Sequence, residues 1–269
     1  MNYKREKSIY DIEKFNKRID ECLNSGGKIL DLSNLYLKAV PNNLPITLEY
    51  LSISDNYIND INNINYLTNL KILDCCHNNI TSIDNIPDIT ELSCRNNNIN
   101  DLSYLNKLKN LKRLDCSNNR IISLPHISNL KSLICSNNYI KSIKEYDRLS
   151  KLVCCSNMIE DISNLDHLEH LECSDNKLTN LLFGKRLENI ICDNNSLSEL
   201  PKDLSKLLFL NCSNNNIKYI PYYNSLEEIL CDYSDDMVIS EKYVIDSGAV
   251  TESNNNKISN ILFKSTHKV

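Results

Sequence analysis

The sequence predicts an α/β solenoid, and three observations predict it. Cys75, Cys94, Cys116, Cys135, Cys154, Cys173, Cys192, Cys212 and Cys231 are separated by 19, 22, 19, 19, 19, 19, 20 and 19 residues. Each lies in one phrase, of which Leu70–Ile80 (LKILDCCHNNI) and Leu130–Ile140 (LKSLICSNNYI) are examples. Asparagine follows each strand at one offset, at Asn56, Asn78, Asn97, Asn119, Asn138, Asn157, Asn176, Asn195 and Asn215. A fixed period near twenty residues marks stacked units that bury their apolar faces against neighbours.

Such a stack must be sealed at its ends. Residues 8–25 carry Ile9, Ile12, Phe15, Ile19, Cys22 and Leu23 at helical spacing, with charged residues opposite and Ser25-Gly26-Gly27 as a stop signal. Residues 1–26 are therefore assigned to an N-terminal capping helix. Residues 27–236 hold eleven units, whose phrases begin at Gly27, Leu48, Leu70, Ile89, Leu111, Leu130, Leu149, Leu168, Leu187, Leu207 and Leu226. The first two carry Leu32 and Ile53 in the cysteine slot, and the last decays after Cys231.

Within a phrase, residues such as Leu73 and Cys75 alternate with outward positions at period two, the mark of a one-sided strand. The asparagine amide can satisfy backbone groups freed where the chain turns out of the sheet, and stacked units would make it a ladder. A 19-residue unit leaves about eight residues behind the phrase, room for 3₁₀ or extended segments but not a full helix. Residues 237–269 are expected to give a weak cap and a flexible tail. Val238, Tyr243, Val244 and Ile245 could cover the last unit, and Lys257–Val269 is read as a short helix or frayed end.

The template L-x-x-L-x-[LIC]-x-x-N-x-[IL] over residues 27 to 236 resembles the leucine-rich repeat. The resemblance implies a horseshoe with a parallel sheet on its concave face and short 3₁₀ or extended segments on its convex face. The 22-residue units resemble the phosphatase-regulator-like type, and the prolines of LPHISN, LPKDLSK and IPYYNS resemble the short bacterial type. Richness in Asn, Ile, Lys and Tyr, with four glycines and no tryptophan, resembles leucine-rich repeat proteins of large DNA viruses of protists.

No apolar run approaches the roughly 18 residues of a membrane span, and no secretory h-region is visible. A net charge of −5 and a pI of 5.6 argue against a general nucleic-acid binder. The periodic cysteines read as core fillers, because parallel strands place their side chains side by side and no C-x-x-C zinc spacing occurs. Free thiols imply an intracellular, reducing compartment, the cytoplasm, that of a host cell included. Cys76 and Cys155 follow the core slot and are expected on the concave surface. Cys76-His77 lacks a third metal ligand on a neighbouring rung, only His170 among His126, His167 and His170 points into the concavity, and Asp31, Asp74, Asp115 and Glu172 stand on separate rungs. No catalytic residue, metal ligand or cofactor is assigned.

The function expected is a non-enzymatic scaffold, a monomer that binds a protein partner on its concave face. Alternatives are a targeting or regulatory subunit of a ligase- or phosphatase-type partner enzyme, and a structural or virion component without a dedicated ligand. Positions three, five, seven, eight and ten of each phrase should face or rim the concavity. They are polar in the first units, including Arg95, Arg113 and Asp115, whereas the fifth position turns apolar at Ile134, Val153, Ile191 and Leu230, interrupted by Glu172. With Tyr139, Met158 and Phe209 nearby, these apolar residues are the expected anchor, and the Arg and Asp positions are expected to set orientation.

Overall fold

The structure, a computed structural model, describes residues 2–163, 165–181, 185–233, 237–240, 243–245, 258–259 and 263–265. The chain divides into two compact units, Met1–Leu130 and Lys131–Val269. The phrases are numbered below as coils 1 to 11 in chain order.

The first unit opens with a helix, Asn2–Asn24. It ends in a left-handed turn at Gly26 (φ 95°) and Gly27 (φ 68°), with the Gly27 N–H donating to the Cys22 carbonyl at 2.8 Å. A Cβ on Gly27 would meet Thr47 Oγ1 at 2.6 Å, so only glycine fits there. The helix packs on the first strand, but its buried face is narrower than the helical spacing predicts. Cys22 is buried and Phe15 and Ile19 are half-buried, whereas Ile12 and Leu23 are 59% and 55% exposed. The side chain of Ile9 lies outside the described residues. Arg18 adds a polar seal. Within the sheet, the N–H groups of one coil donate to carbonyls of the next, as in Leu32 to Ser52 and Asn34 to Ser54. Asp31 and Ser33 hold the corresponding carbonyls of coil 1, where no preceding coil exists to donate. The Arg18 guanidinium donates to both, at 3.1 and 2.7 Å.

Five parallel strands follow in this unit, Ile29–Asp31, Tyr50–Ser52, Ile72–Asp74, Glu91–Ser93 and Arg113–Asp115, with equivalent residues in register. In the second unit six more run parallel: Ser132–Ile134, Lys151–Val153, His170–Glu172, Asn189–Ile191, Phe209–Asn211 and Glu228–Leu230. In every strand the middle residue is buried and its neighbours are mostly open to solvent, as period two requires. The nine periodic cysteines are buried behind the strands, none more than 3% exposed, and all twelve cysteines are free thiols. They pack as small hydrophobes, and burial drives the thiols of Cys75, Cys94, Cys154 and Cys173 well above their ordinary pKa.

The ladder asparagines are bonded across coils. Asn97 Nδ2 donates to the carbonyls of Cys75, Cys94 and Arg95 at 3.0, 3.0 and 3.2 Å, while its Oδ1 accepts the Ile80 N–H at 3.0 Å. Asn176 repeats the pattern with Cys154, Cys173, Ser174 and Ile159. The residue before each ladder asparagine has a left-handed backbone: Asp55, His77, Asn96, Asn118, Asn137, Ser156, Asp175, Asn194 and Asn214, with φ of 53–56°. Asn and Asp tolerate that region best, which explains the Asn-Asn doublets.

Behind the strands, the two 22-residue units form 3₁₀ turns at Asn62–Ile64 and Ser103–Lys107. Asp60 and Asp101 hold them through bonds to the N–H groups of Asn62 and Ser103, both 2.7 Å. Shorter units use extended pieces that pair in parallel, Ser142–Ile143 with Asp161–Ile162 and Tyr219–Ile220 with Val238–Ile239. At the C-terminal side, Asp232–Tyr233 pairs antiparallel with Ile258–Ser259, and Tyr243–Ile245 with Phe263–Ser265, which contacts the last sheet strand. Strands thus stand where the sequence suggested a short helix or frayed end; residues 246–257, 260–262 and 266–269 of the expected tail lie outside the described residues.

Candidate interaction face

The open face of each sheet is built from positions three and five of the phrases, with position seven where the chain leaves the strand. Position five has a local duty in many coils. Asp31, Asp74, Asp115 and Asn211 accept the N–H two residues on, from Ser33, Cys76, Ser117 and Ser213, at 2.8, 3.1, 3.0 and 3.2 Å. These side chains stabilise the bend that ends the strand, as Asx turns do. Asp31, Asp74 and Asp115, which stand on separate rungs, therefore carry a structural role. Burial raises the pKa of Asp31, but its bonds to Ser33 and the charge of Arg18 more than offset this and leave it lowered.

Position seven is less open than strand alternation implies. Cys76 was expected on the surface; it is buried, with Sγ 2.9 Å from Ser93 Oγ, and burial pushes its thiol up to about 11. Cys155 is half-buried, and its pKa is raised for the same reason. Where small residues occupy this position the neighbouring coils close over them, and Ser54, Ser117 and Ser174 are also buried; the longer Arg95 reaches solvent.

On the first unit's face, Arg95 and Arg113 are exposed, and Arg113 pairs with Glu91 at 3.0 Å. Asp115 is bound to the Ser117 N–H and hydroxyl, at 3.0 and 2.8 Å. In the second unit, the register aligns Ile134, Val153, Glu172, Ile191, Asn211 and Leu230 at position five. Asn211 is a second polar interruption besides Glu172. The four apolar members are half-buried and have no side-chain acceptor with which to hold the bend. Phe209 is half-buried at position three, on the rung beside Ile191. Tyr139 and Met158, 53% and 39% exposed, stand one residue past their ladder asparagines, where the chain turns away from the sheet.

The polar members of this face bond to one another. His170 Nε2 lies 2.6 Å from Glu172 Oε1 on one strand. Asp193 links three coils, accepting from Ser174 Oγ at 2.6 Å and Asn211 Nδ2 at 3.1 Å. The sequence did not single out Asp193; a serine at position seven of coil 8 and an asparagine at position five of coil 10 were the available signal. Among the described residues, no three histidine, cysteine or carboxylate side chains converge to hold a metal ion. No helix among them is long and apolar enough to cross a membrane. On the back segments, an open hollow is lined by Lys185, Lys202, Asp203, Ser205, Tyr222 and Asn224.

A sequence profile described as Leucine Rich repeats matches the chain twice, over residues 46–88 and 87–129. No curated protein matches it in sequence. Among solved structures, YopM from Yersinia enterocolitica WA-314 is 24% identical, with a TM-score of 0.60 over 81% of this chain and 58% of that one. YopM from Yersinia pestis, described as a leucine-rich effector protein, is 26% identical, with a TM-score of 0.63 over 76% of this chain and 65% of the other. The leucine-rich repeat domain of APL1B is 20% identical, with a TM-score of 0.70 over 77% of this chain and 68% of that domain. The chain thus spans 58% of the length of the Yersinia enterocolitica protein. These matches lend the viral resemblance no support.

Proposed function

We propose that this leucine-rich repeat chain is a non-enzymatic scaffold that binds a protein partner on the open sheet face of its second unit. Position five of the coils carries the reading. Where that residue is Asp or Asn, it stabilises the bend that follows it. Ile134, Val153, Ile191 and Leu230 forgo that bond and present apolar surface to water instead. Strand propensity favours Ile, Val and Phe, but it does not account for Leu230. Exposed apolar side chains gathered on one rigid face mark an interface. The relation to a Yersinia pestis protein described as an effector fits a chain that acts by binding. The buried free thiols favour a reducing, intracellular compartment as the place of action.

The test is partner capture by the double variant Val153→Glu/Ile191→Glu. Both side chains are half-exposed, so the fold should persist and melting should shift little. Capture should be abolished. Capture that survives these changes but fails on charge reversal at the exposed back residues Glu199 and Asp203 would overturn the assignment.

A further inference from the structure

The open face of the second unit is strongly polarised in charge. In coils 8 to 11, positions two to eight contain eight carboxylates and no lysine or arginine. The same positions of coils 6 and 7 contain Lys131 and Lys151 and no carboxylate. The one basic group in the acidic half, His170, is already engaged by Glu172.

The carboxylates form two rims around an apolar centre. Glu169, Glu188 and Glu227 stand at position two, where the chain approaches the strand, and their backbones continue the inter-coil ladder (Glu188 N–H to Glu169 O, 2.8 Å; Glu227 N–H to Leu208 O, 2.9 Å). Asp193 and Asp232 stand at position seven, where it leaves. Between these rims lie Ile191, Phe209 and Leu230 at positions three and five, all half-buried. From position two to position seven a strand advances roughly 16 Å, wide enough to seat an α-helix about 10–12 Å across. Four coils at about 4.8 Å spacing span about 14 Å, the length of roughly ten helical residues.

Resting on the reading that this face binds protein, we infer that coils 8 to 11 receive an amphipathic helix of the partner whose apolar stripe is flanked on both sides by lysine or arginine. The stripe meets Ile191, Phe209 and Leu230, and the basic flanks meet the rims at positions two and seven. An apolar stripe laid in a groove supplies burial, and complementary charge supplies orientation and rejection of acidic segments. The lysines of coils 6 and 7 would repel a basic extension in that direction, which fixes which end of the partner helix lies there.

The experiment uses the full chain and fluorescent peptides of roughly 14 residues, about 20 Å as a helix, in three designs: Leu/Lys amphipathic, Leu/Glu amphipathic, and Ser/Lys with the same charge but no apolar stripe. The Leu/Lys peptide should bind best and weaken as salt rises. Glu188→Lys with Glu227→Lys should lower its affinity at least tenfold, and Ile191→Ser with Leu230→Ser should do likewise, with circular dichroism and melting of the variants unchanged. Glu199→Lys with Asp203→Lys on the back segments should change it less than twofold. Equal binding of the Leu/Glu or Ser/Lys peptide, no binding of the Leu/Lys peptide, or an equal loss with the back-segment variant would each overturn the inference. If peptide binding fails while Val153→Glu/Ile191→Glu still abolishes partner capture, the docking face stands and only its basic-helix occupant falls. If peptide binding behaves as expected while capture survives Val153→Glu/Ile191→Glu, the proposed function falls instead.

Discussion

Replacing Asn97 with leucine tests the ladder at a point where four bonds meet. Leucine keeps the number and branching of the side-chain heavy atoms but is the bulkier group, so the loss of hydrogen bonding is the least that the change costs. Of the four bonds lost, three end on carbonyls that keep another donor: Cys75 O retains Asn78 Nδ2, Cys94 O retains Asn119 Nδ2, and Arg95 O retains the His77 N–H. The fourth leaves the Ile80 N–H, in a fully buried residue, without its acceptor. One orphaned buried donor costs about 1–3 kcal/mol, and the three surplus bonds add about 0.5 kcal/mol each, so the change should cost about 2.5–4.5 kcal/mol. At about 2–4 °C per kcal/mol for a domain this long, the melting temperature should fall by roughly 5–18 °C. Asn79→Leu is the control: Asn79 is exposed, and its backbone N–H, which donates to Ile58 O at 2.9 Å, is untouched. It should shift melting by no more than about 0.5 kcal/mol. Equal shifts for the two variants, by calorimetry or urea titration, would refute the assignment of the ladder.

Thiol reagents at neutral pH should label Cys155 first and slowly, with Cys76 and the nine core cysteines reacting only on unfolding, because these side chains are buried and burial raises the pKa values of Cys155, Cys76 and Cys75; rapid reaction of Cys76 would contradict its buried contact with Ser93. Glu49, held by Lys28 at 2.8 Å and by Lys71, has its carboxyl lowered to about 2 from 4.5. A depressed carboxylate contributes stability that is present above pH 4.5 and lost as pH falls toward 2, so Glu49→Gln should flatten the stability profile in that window, and an unchanged profile would rule the pairing out. Arg18→Met keeps the apolar stem but removes the donors to Asp31 and Ser33; it should cost about 1 kcal/mol and speed amide exchange in coil 1 while leaving coils 3 to 5 unchanged.

Much of the fold was legible in the sequence because stacking imposes one period on every coil. The cysteine slot, the strand residues around it and the nine ladder asparagines all follow from that register. Other features have no periodic signature, or hide behind one. In Asn96-Asn97 the two residues look alike, yet the first supplies a left-handed backbone and the second bonds across coils. Position-five carboxylates look like any charged strand face until their bonds to the exit bend are seen. Cys76 looked exposed because alternation ignores crowding by adjacent coils. On the candidate face, the columns were readable but not their internal bonds: the break at Asn211 and the Asp193 link across three coils depend on which side chains meet. The strands after coil 11 follow no repeat, so composition alone could not place them.

The central claim, that a protein partner docks on the open face of the second unit, is tested most directly by photo-crosslinking. Benzoylphenylalanine placed at Ile191, which is half-buried on that face, and separately at the exposed Lys206 of the back segments, reports which surface the captured partner touches. The account predicts a crosslinked partner band from Ile191 that Val153→Glu removes, and none from Lys206. A band from Lys206 with none from Ile191 would contradict it.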